Sequence, residues 1–212
     1  MLTQKPITDF LNDLASNSPA PGGGSVAALA GAMGAALTSM VCKLTIGKKK
    51  YADVEDEMKS VLHQAEKLRA QFTMLVDKDT EAFNKVMQSF ALPKETDEQK
   101  TKRTAAIQSA TKEAAKVPFE VMRLCIEGLN LAKSVAEKGN ASSVSDAGVS
   151  TIMLYGGLES AALNVQINLG GLSDKAFTDK MNNEMLSLQK EGFPLLQTAL
   201  AIVREKMGKP MS

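Results

Sequence analysis

Apolar residues recur along this chain at spacings of three and four, and strict alternation bounded by hairpin turns is nearly absent. That is the period of helices, not of strands. Six helices are predicted. The first is short, over 7–15, and a loop rich in Ser, Asn, Pro and Gly follows over 16–24. The second runs over 25–46, ending at Gly47 and the cationic Lys48-Lys49-Lys50, which suits a helix C-terminus. The third covers 54–90 and is stopped by Leu92-Pro93. The fourth starts at Thr96-Asp97-Glu98-Gln99, reaches Lys138, and should kink at Pro118. Ser142 and Ser143 are expected to cap the fifth, which ends near Leu169 before Gly170-Gly171. Ser173-Asp174 caps the sixth, which runs to Glu205, with a break expected near Gly192 and Pro194. No long linker or repeat divides the chain, so the fold class is all-α, a single domain over 1–212.

One position breaks the pattern. The third helix carries an apolar stripe at Leu68, Phe72, Leu75, Val76, Phe83, Val86 and Phe90, the face expected to be buried. Asp79 falls inside it, four residues from both Leu75 and Phe83. A lone carboxylate there costs several kcal/mol unless it is paired, protonated or facing a cavity. Burial would raise its pKa toward the range in which a group trades protons near neutral pH. An Asp satisfied by a neighbouring helix end or a Lys fits the periodicity equally well. Asp77, by contrast, shares its face with Thr73, Glu81 and Asn84 and is expected to be solvated. His63 sits among Lys59, Ser60, Glu66 and Lys67 on a polar face.

A second feature is Pro21-Gly22-Gly23-Gly24-Ser25, opening the long second helix. Helix starts offer free N–H groups and a positive dipole end, suited to an anion or polar ring. The glycines can be forced onto a short dinucleotide-type pattern, but no strand precedes them and no Lys follows at the Walker spacing. Asp146 stands in the first turn of the fifth helix, where an acid is favoured for helix reasons alone. Asn164 and Asn168 lie one turn apart on an otherwise apolar stretch and need partners, from the backbone or a polar pocket.

Composition narrows the rest. The 25 basic and 24 acidic residues balance, and Trp is absent, which removes the electrostatic and stacking case for nucleic acid. The uncharged stretch 25–42 approaches membrane-spanning length, but it is mostly Ala, Gly, Ser and Thr, so a packed central helix with no membrane is expected. Cys42 and Cys125 read as free buried thiols of a cytoplasmic protein. With one histidine, no metal site is expected.

The residues together resemble the cyclodeaminase domain of formimidoyltransferase-cyclodeaminase and its free-standing bacterial relatives, some described as methenyltetrahydrofolate cyclohydrolases. The resemblance spans nearly the whole chain. It rests on Ala20-Pro21-Gly22-Gly23-Gly24-Ser25-Val26, Gly34-Ala35-Ala36-Leu37, Leu44-Thr45-Ile46-Gly47-Lys48-Lys49, Leu75-Val76-Asp77-Lys78-Asp79, Leu92-Pro93-Lys94, Gly139-Asn140, Ser145-Asp146 and Asn164-Val165 with Ile167-Asn168-Leu169. It implies an all-helical homodimer whose substrate is a tetrahydrofolate derivative, with or without a polyglutamate tail, and no permanently bound cofactor. It places the catalytic acid at Asp79 and substrate-binding groups at Gly22, Gly23, Gly24, Ser25 and Asp146; Asn164 and Asn168 are further substrate-binding candidates from their place on an apolar helix, and Lys48 and Lys49 join them for a negatively charged tail if the far end of the second helix lies near a second copy of the site. Lys78 departs from the small residue of the bifunctional enzyme and is expected to face solvent. The implied reaction is closure of 5-formimidoyltetrahydrofolate to the methenyl form with loss of ammonia, and the alternative is hydrolysis of that methenyl bridge. A non-catalytic helical dimer, or folate-binding scaffold, would instead keep Asp79 ion-paired and away from any cavity.

Overall fold

A computed structural model describes residues 1–208; the last four residues of the expected single domain lie outside the described part. Six α-helices appear: α1 (Ile7–Leu14), α2 (Gly23–Thr45), α3 (Glu55–Phe90), α4 (Asp97–Lys138), α5 (Val144–Gly170) and α6 (Lys175–Met207). Single 3-10 turns precede α1 and α5, and a six-residue 3-10 segment, Lys49–Val54, leads into α3. No strand occurs among the described residues.

The helix signals acted much as expected, with instructive exceptions. Thr96 and Gln99 form a reciprocal capping box at the start of α4, and Asp174 accepts from the Phe177 N–H to start α6. Ser143 stands at the N-cap of α5 as expected but makes no side-chain cap bond, and Ser142 belongs to the turn ahead, where the Asn140 side chain accepts from the Ser142 N–H. α6 runs unbroken through Gly192 and Pro194. A proline removes one backbone bond, and here Gly192 keeps the helix seated by letting its backbone lie against Leu158. α4 likewise runs through Pro118 as one helix.

α2 is the axis. Its buried positions are almost all small: Gly24, Ser25, Ala27, Ala28, Gly31, Ala32, Gly34, Ala35, Thr38 and Ser39. Small residues let α3 and α5 approach closely on either side, with α4 and α6 completing the bundle. At Gly31 a Cβ would stand 2.5 Å from the Phe72 ring, so no side chain fits there. By length and composition α2 is apolar enough to cross a membrane, but most of that stretch is buried against the other helices. α2 and α5 run antiparallel: Gly23 faces Asn164, whereas Thr38 bonds Ser150 at 2.8 Å.

Burial in α3 ends at Val76, and in α4 it begins only at Thr111. Beyond those points the two helices are only partly buried; Asp79, Phe83 and Val86 still reach α2 and α5, and only the helix ends past Val86 and before Gln108 form a short arm. The apolar stripe of α3 is therefore not core to its end: Phe83 and Val86 are half-buried and Phe90 is exposed. Cys42 and Cys125 are free and buried, and burial pushes the Cys42 thiol up to about 12, leaving it inert.

Candidate active site

The glycine segment is more helical than its composition suggests. Gly22 is the N-cap and Gly23 and Gly24 already belong to the first turn of α2, after a cis Ala20–Pro21 bond. Gly22 has no side chain with which to cap. A residue from another helix fills that role. Asp79 of α3 lies against the start of α2, accepting the Ser25 hydroxyl at 2.9 Å on Oδ2, with the Ser25 backbone N–H also turned to the carboxylate. The positive end of α2 is thus aimed at an acid of this same chain.

That approach depends on Gly24. A Cβ there would sit 2.1 Å from Asp79 Oδ1, so any side chain would displace the carboxylate. Ser25 is wholly buried, and its Oγ also lies 3.0 Å from the Val76 carbonyl oxygen and 3.3 Å from Thr80 Oγ1. Asp79 has no lysine or arginine partner among the described residues. Loss of water raises its pKa above the ordinary carboxylate value, and the two Ser25 donors oppose that only in part.

Asp79 opens onto a cavity of about 300 Å³. Gly22, Gly23 and Gly24 form one wall, Phe83 and Val86 of α3 another, Ala114 of α4 the floor, and Asn164, Ile167 and Asn168 of α5 the far side. The Asn164 and Asn168 amides each donate to the carbonyl one turn back, at 2.8 Å, leaving their Oδ1 atoms as acceptors for a guest. Both roles open to these amides are therefore filled at once. Phe83 and Val86 were counted toward a core face; what they line is this pocket, and the intrusion of Asp79 into the same stripe was the signal for it. Neighbouring hollows differ in kind. The one beside the N-terminal turn, about 430 Å³, includes Asp77, which is not free in solvent: it holds that turn, accepting from the Leu2 N–H and, at 3.0 Å, from Thr3 Oγ1.

The other expected ligands lie elsewhere. Lys48 and Lys49 follow the opposite end of α2, about 35 Å along its axis from Gly24 at 1.5 Å per residue. Asp146 is at the start of α5, about 27 Å from Asn164 on the same reckoning. Because α2 and α5 are antiparallel, these three share the end of the bundle remote from Asp79. Within one subunit they cannot join Gly22, Gly23, Gly24, Ser25, Asn164 and Asn168. Lys78 is exposed as expected, and so is His63.

The bundle thus holds one unpaired, desolvated acid at the edge of a small, otherwise uncharged pocket, a setting suited to proton transfer. The sequence pattern described as "Formiminotransferase-cyclodeaminase" matches residues 6–187, and the chain belongs to that family. It is 49% identical, over 98% of its own length and 100% of the other's, to a methenyltetrahydrofolate cyclohydrolase of Methylorubrum extorquens. It is 35% identical to the formimidoyltransferase-cyclodeaminase of Rattus norvegicus over 86% of its length, but spans only 34% of that longer protein. The crystal structure of formiminotetrahydrofolate cyclodeaminase from Thermotoga maritima superimposes with a TM-score of 0.88 at 30% identity, covering 98% of this chain and all of that one.

Proposed function

We propose that the chain acts on the one-carbon bridge between N5 and N10 of tetrahydrofolate, with hydrolysis of 5,10-methenyltetrahydrofolate as its principal reaction. The observation that carries this reading is the charge of the pocket. Its lining holds one ionisable group, Asp79, and that group is an acid. The helix end, in principle suited to an anion, already faces this carboxylate. A cationic guest is favoured, and the methenyl bridge is a cation.

The chemistry then follows from one proton carrier. Water adds to the bridge carbon and gives a proton to the Asp79 carboxylate, forming a neutral C–O bond. Asp79 returns that proton to N5 as the carbon–N5 bond breaks, and the hydroxyl proton leaves to solvent as the formyl group forms on N10. A pKa raised by loss of water suits both halves of this exchange. The free N–H groups of Gly23 and Gly24 and the Asn164 and Asn168 oxygens complement the mixed donors and acceptors of a pterin edge.

The full-length 49% match to a cyclohydrolase supports putting hydrolysis ahead of ammonia release, the reverse of the order suggested by the resemblance alone. The likeness to the Thermotoga cyclodeaminase supports the second reading, in which N10 attacks the formimidoyl carbon on N5 and ammonia departs. Both reactions pass through the same bridge and the same acid. Methenyl hydrolysis and ammonia release from 5-formimidoyltetrahydrofolate, assayed on one preparation, separate them; the reading expects the first to dominate. Asp79→Asn should reduce either turnover by at least about a thousandfold with the fold intact. Full activity in that variant would end the proposal.

The same reading includes a homodimer. α2 exposes Val26, Met33, Met40 and Leu44, and the adjoining α5 exposes Val149, Ile152 (52%), Leu163 (67%) and Ile167 (77%), a two-helix apolar face that a second copy would cover. A two-fold pairing with α2 antiparallel to its mate carries the Lys48, Lys49 and Asp146 end of one subunit toward the Gly22 end of the other. There the lysines would meet the glutamate tail of a folate, polyglutamylated or not. Buried unpaired thiols accord with a reducing, cytoplasmic setting.

A further inference from the structure

We infer that Ser25 is a proton-state switch for Asp79, not a donor to substrate: its hydroxyl hydrogen points to the carboxylate when Asp79 is ionised and to the Val76 carbonyl when Asp79 is protonated. This rests on reading Asp79 as the acid–base group. Ser25 was expected among the substrate-binding residues, but its complete burial leaves it no access to a guest.

The Ser25 hydroxyl has fewer hydrogens than its neighbours can accept. Ser25 Oγ lies 2.9 Å from Asp79 Oδ2 and 3.0 Å from the Val76 oxygen. A hydroxyl has one hydrogen, and a carbonyl only accepts. With Asp79 ionised, both neighbours call for that hydrogen. The charged acceptor wins, because a hydrogen bond to a charged group is roughly twice as strong. Val76 loses little, since its carbonyl lies inside α3 and retains its helical partner one turn on. With Asp79 protonated, the carboxylic acid donates to Ser25 Oγ, and the Ser25 hydrogen turns to Val76. Thr80 Oγ1, 3.3 Å away, steadies the hydroxyl in either setting. Only hydrogens move. Neither state leaves a buried polar atom stranded, so a proton can enter and leave without rebuilding the site.

No other charge competes for control. α2 brings no charged residue before Lys43, and Glu159 of α5 is held by Gln189. Lys78 and Glu81 of α3 and Glu113 of α4 face the separate groove between those helices.

The test uses the resting protein. With carbon-13 at the Asp79 carboxyl and the Val76 carbonyl, the Val76 signal should move with pH at the same midpoint as the Asp79 signal. In Ser25→Ala the Val76 movement should vanish and Asp79 should titrate at higher pH, since the ionised form loses the stronger bond. The same variant should lose about tenfold or more in kcat with KM within about twofold, as expected when a proton carrier is mistuned and binding is spared. Thermal melting confirms that it is folded. A flat Val76 signal through the Asp79 titration in the unmodified protein would overturn the switch, as would a raised KM with kcat unchanged in Ser25→Ala. Because the carbon signals require no turnover, they decide the switch independently of which folate reaction Asp79 serves, and full activity of Asp79→Asn would remove the function while leaving those signals to be read.

Discussion

Asp79 costs the fold something when charged, and the sign of that cost is measurable. Its pKa is raised in the folded chain, so the native state holds a proton that the unfolded state has released. Stability therefore falls as pH rises from the ordinary carboxylate value of 3.8 through the raised one, and the loss persists at neutral pH. Asp79→Asn keeps the Ser25 bond and removes the charge. It should melt higher than the unmodified protein at pH 7, by about 2–4 °C if the relief is near 1 kcal/mol in a chain of this size, and the gain should shrink to nothing below pH 3.8. Calorimetry at pH 3.5 and pH 7 checks this, and an unchanged difference between the two would count against a strained acid. This residue was legible in the sequence because it violated a period. Asp77 was not, because nothing near it in sequence foretells that Leu2 and Thr3 fold back onto it.

Among the elements, the meeting of α2 and α3 decides the geometry of the site. Gly24→Ala sets two effects against each other. Alanine favours a helix over glycine by about 1 kcal/mol. Its Cβ would meet Asp79 Oδ1 at 2.1 Å, but that atom ends a side chain and can rotate away. Folding should therefore change by less than about 1 kcal/mol, while the displaced carboxylate should cost about a hundredfold in kcat. Chemical denaturation and turnover on the same sample test the pair; a stable, fully active variant would contradict the geometry. The helices themselves were plain from periodicity, caps and prolines. Their directions were not. Periodicity tells which face of α2 or α5 is buried but not which end of one meets which end of the other. So Asp146, which the resemblance groups with the glycines, lies at the opposite end of the bundle, beside Lys48 and Lys49, whose place at the far end of the second helix was already plain from its length. The arm formed by the ends of α3 and α4 escaped for a similar reason: Phe83, Val86 and Phe90 have the spacing of a core, whether a core or a pocket lies beside them.

For the whole molecule, the exposed apolar face of α2 and α5 is an unmet demand. Ile152 stands near its middle, half exposed, with open space at Gly156 one turn on. Ile152→Arg should leave the subunit folded and convert a dimer into a monomer in light scattering or sedimentation. If the lysine-rich ends serve the opposite sites, KM for a polyglutamylated substrate should rise at least about tenfold with it. A variant that stays dimeric would move the interface elsewhere.

The first turn of α2 has no cap of its own and borrows one from α3. Its opening residues are consequently only as ordered as the docking of the two helices. Amide hydrogen exchange at Ser25 should then report the breathing of α3 against α2 directly, rising whenever Asp79 swings away. Slow exchange there in Asp79→Asn and fast exchange in Asp79→Ala would show that the residue proposed as the proton carrier is also the fastener of the helix it lies beside.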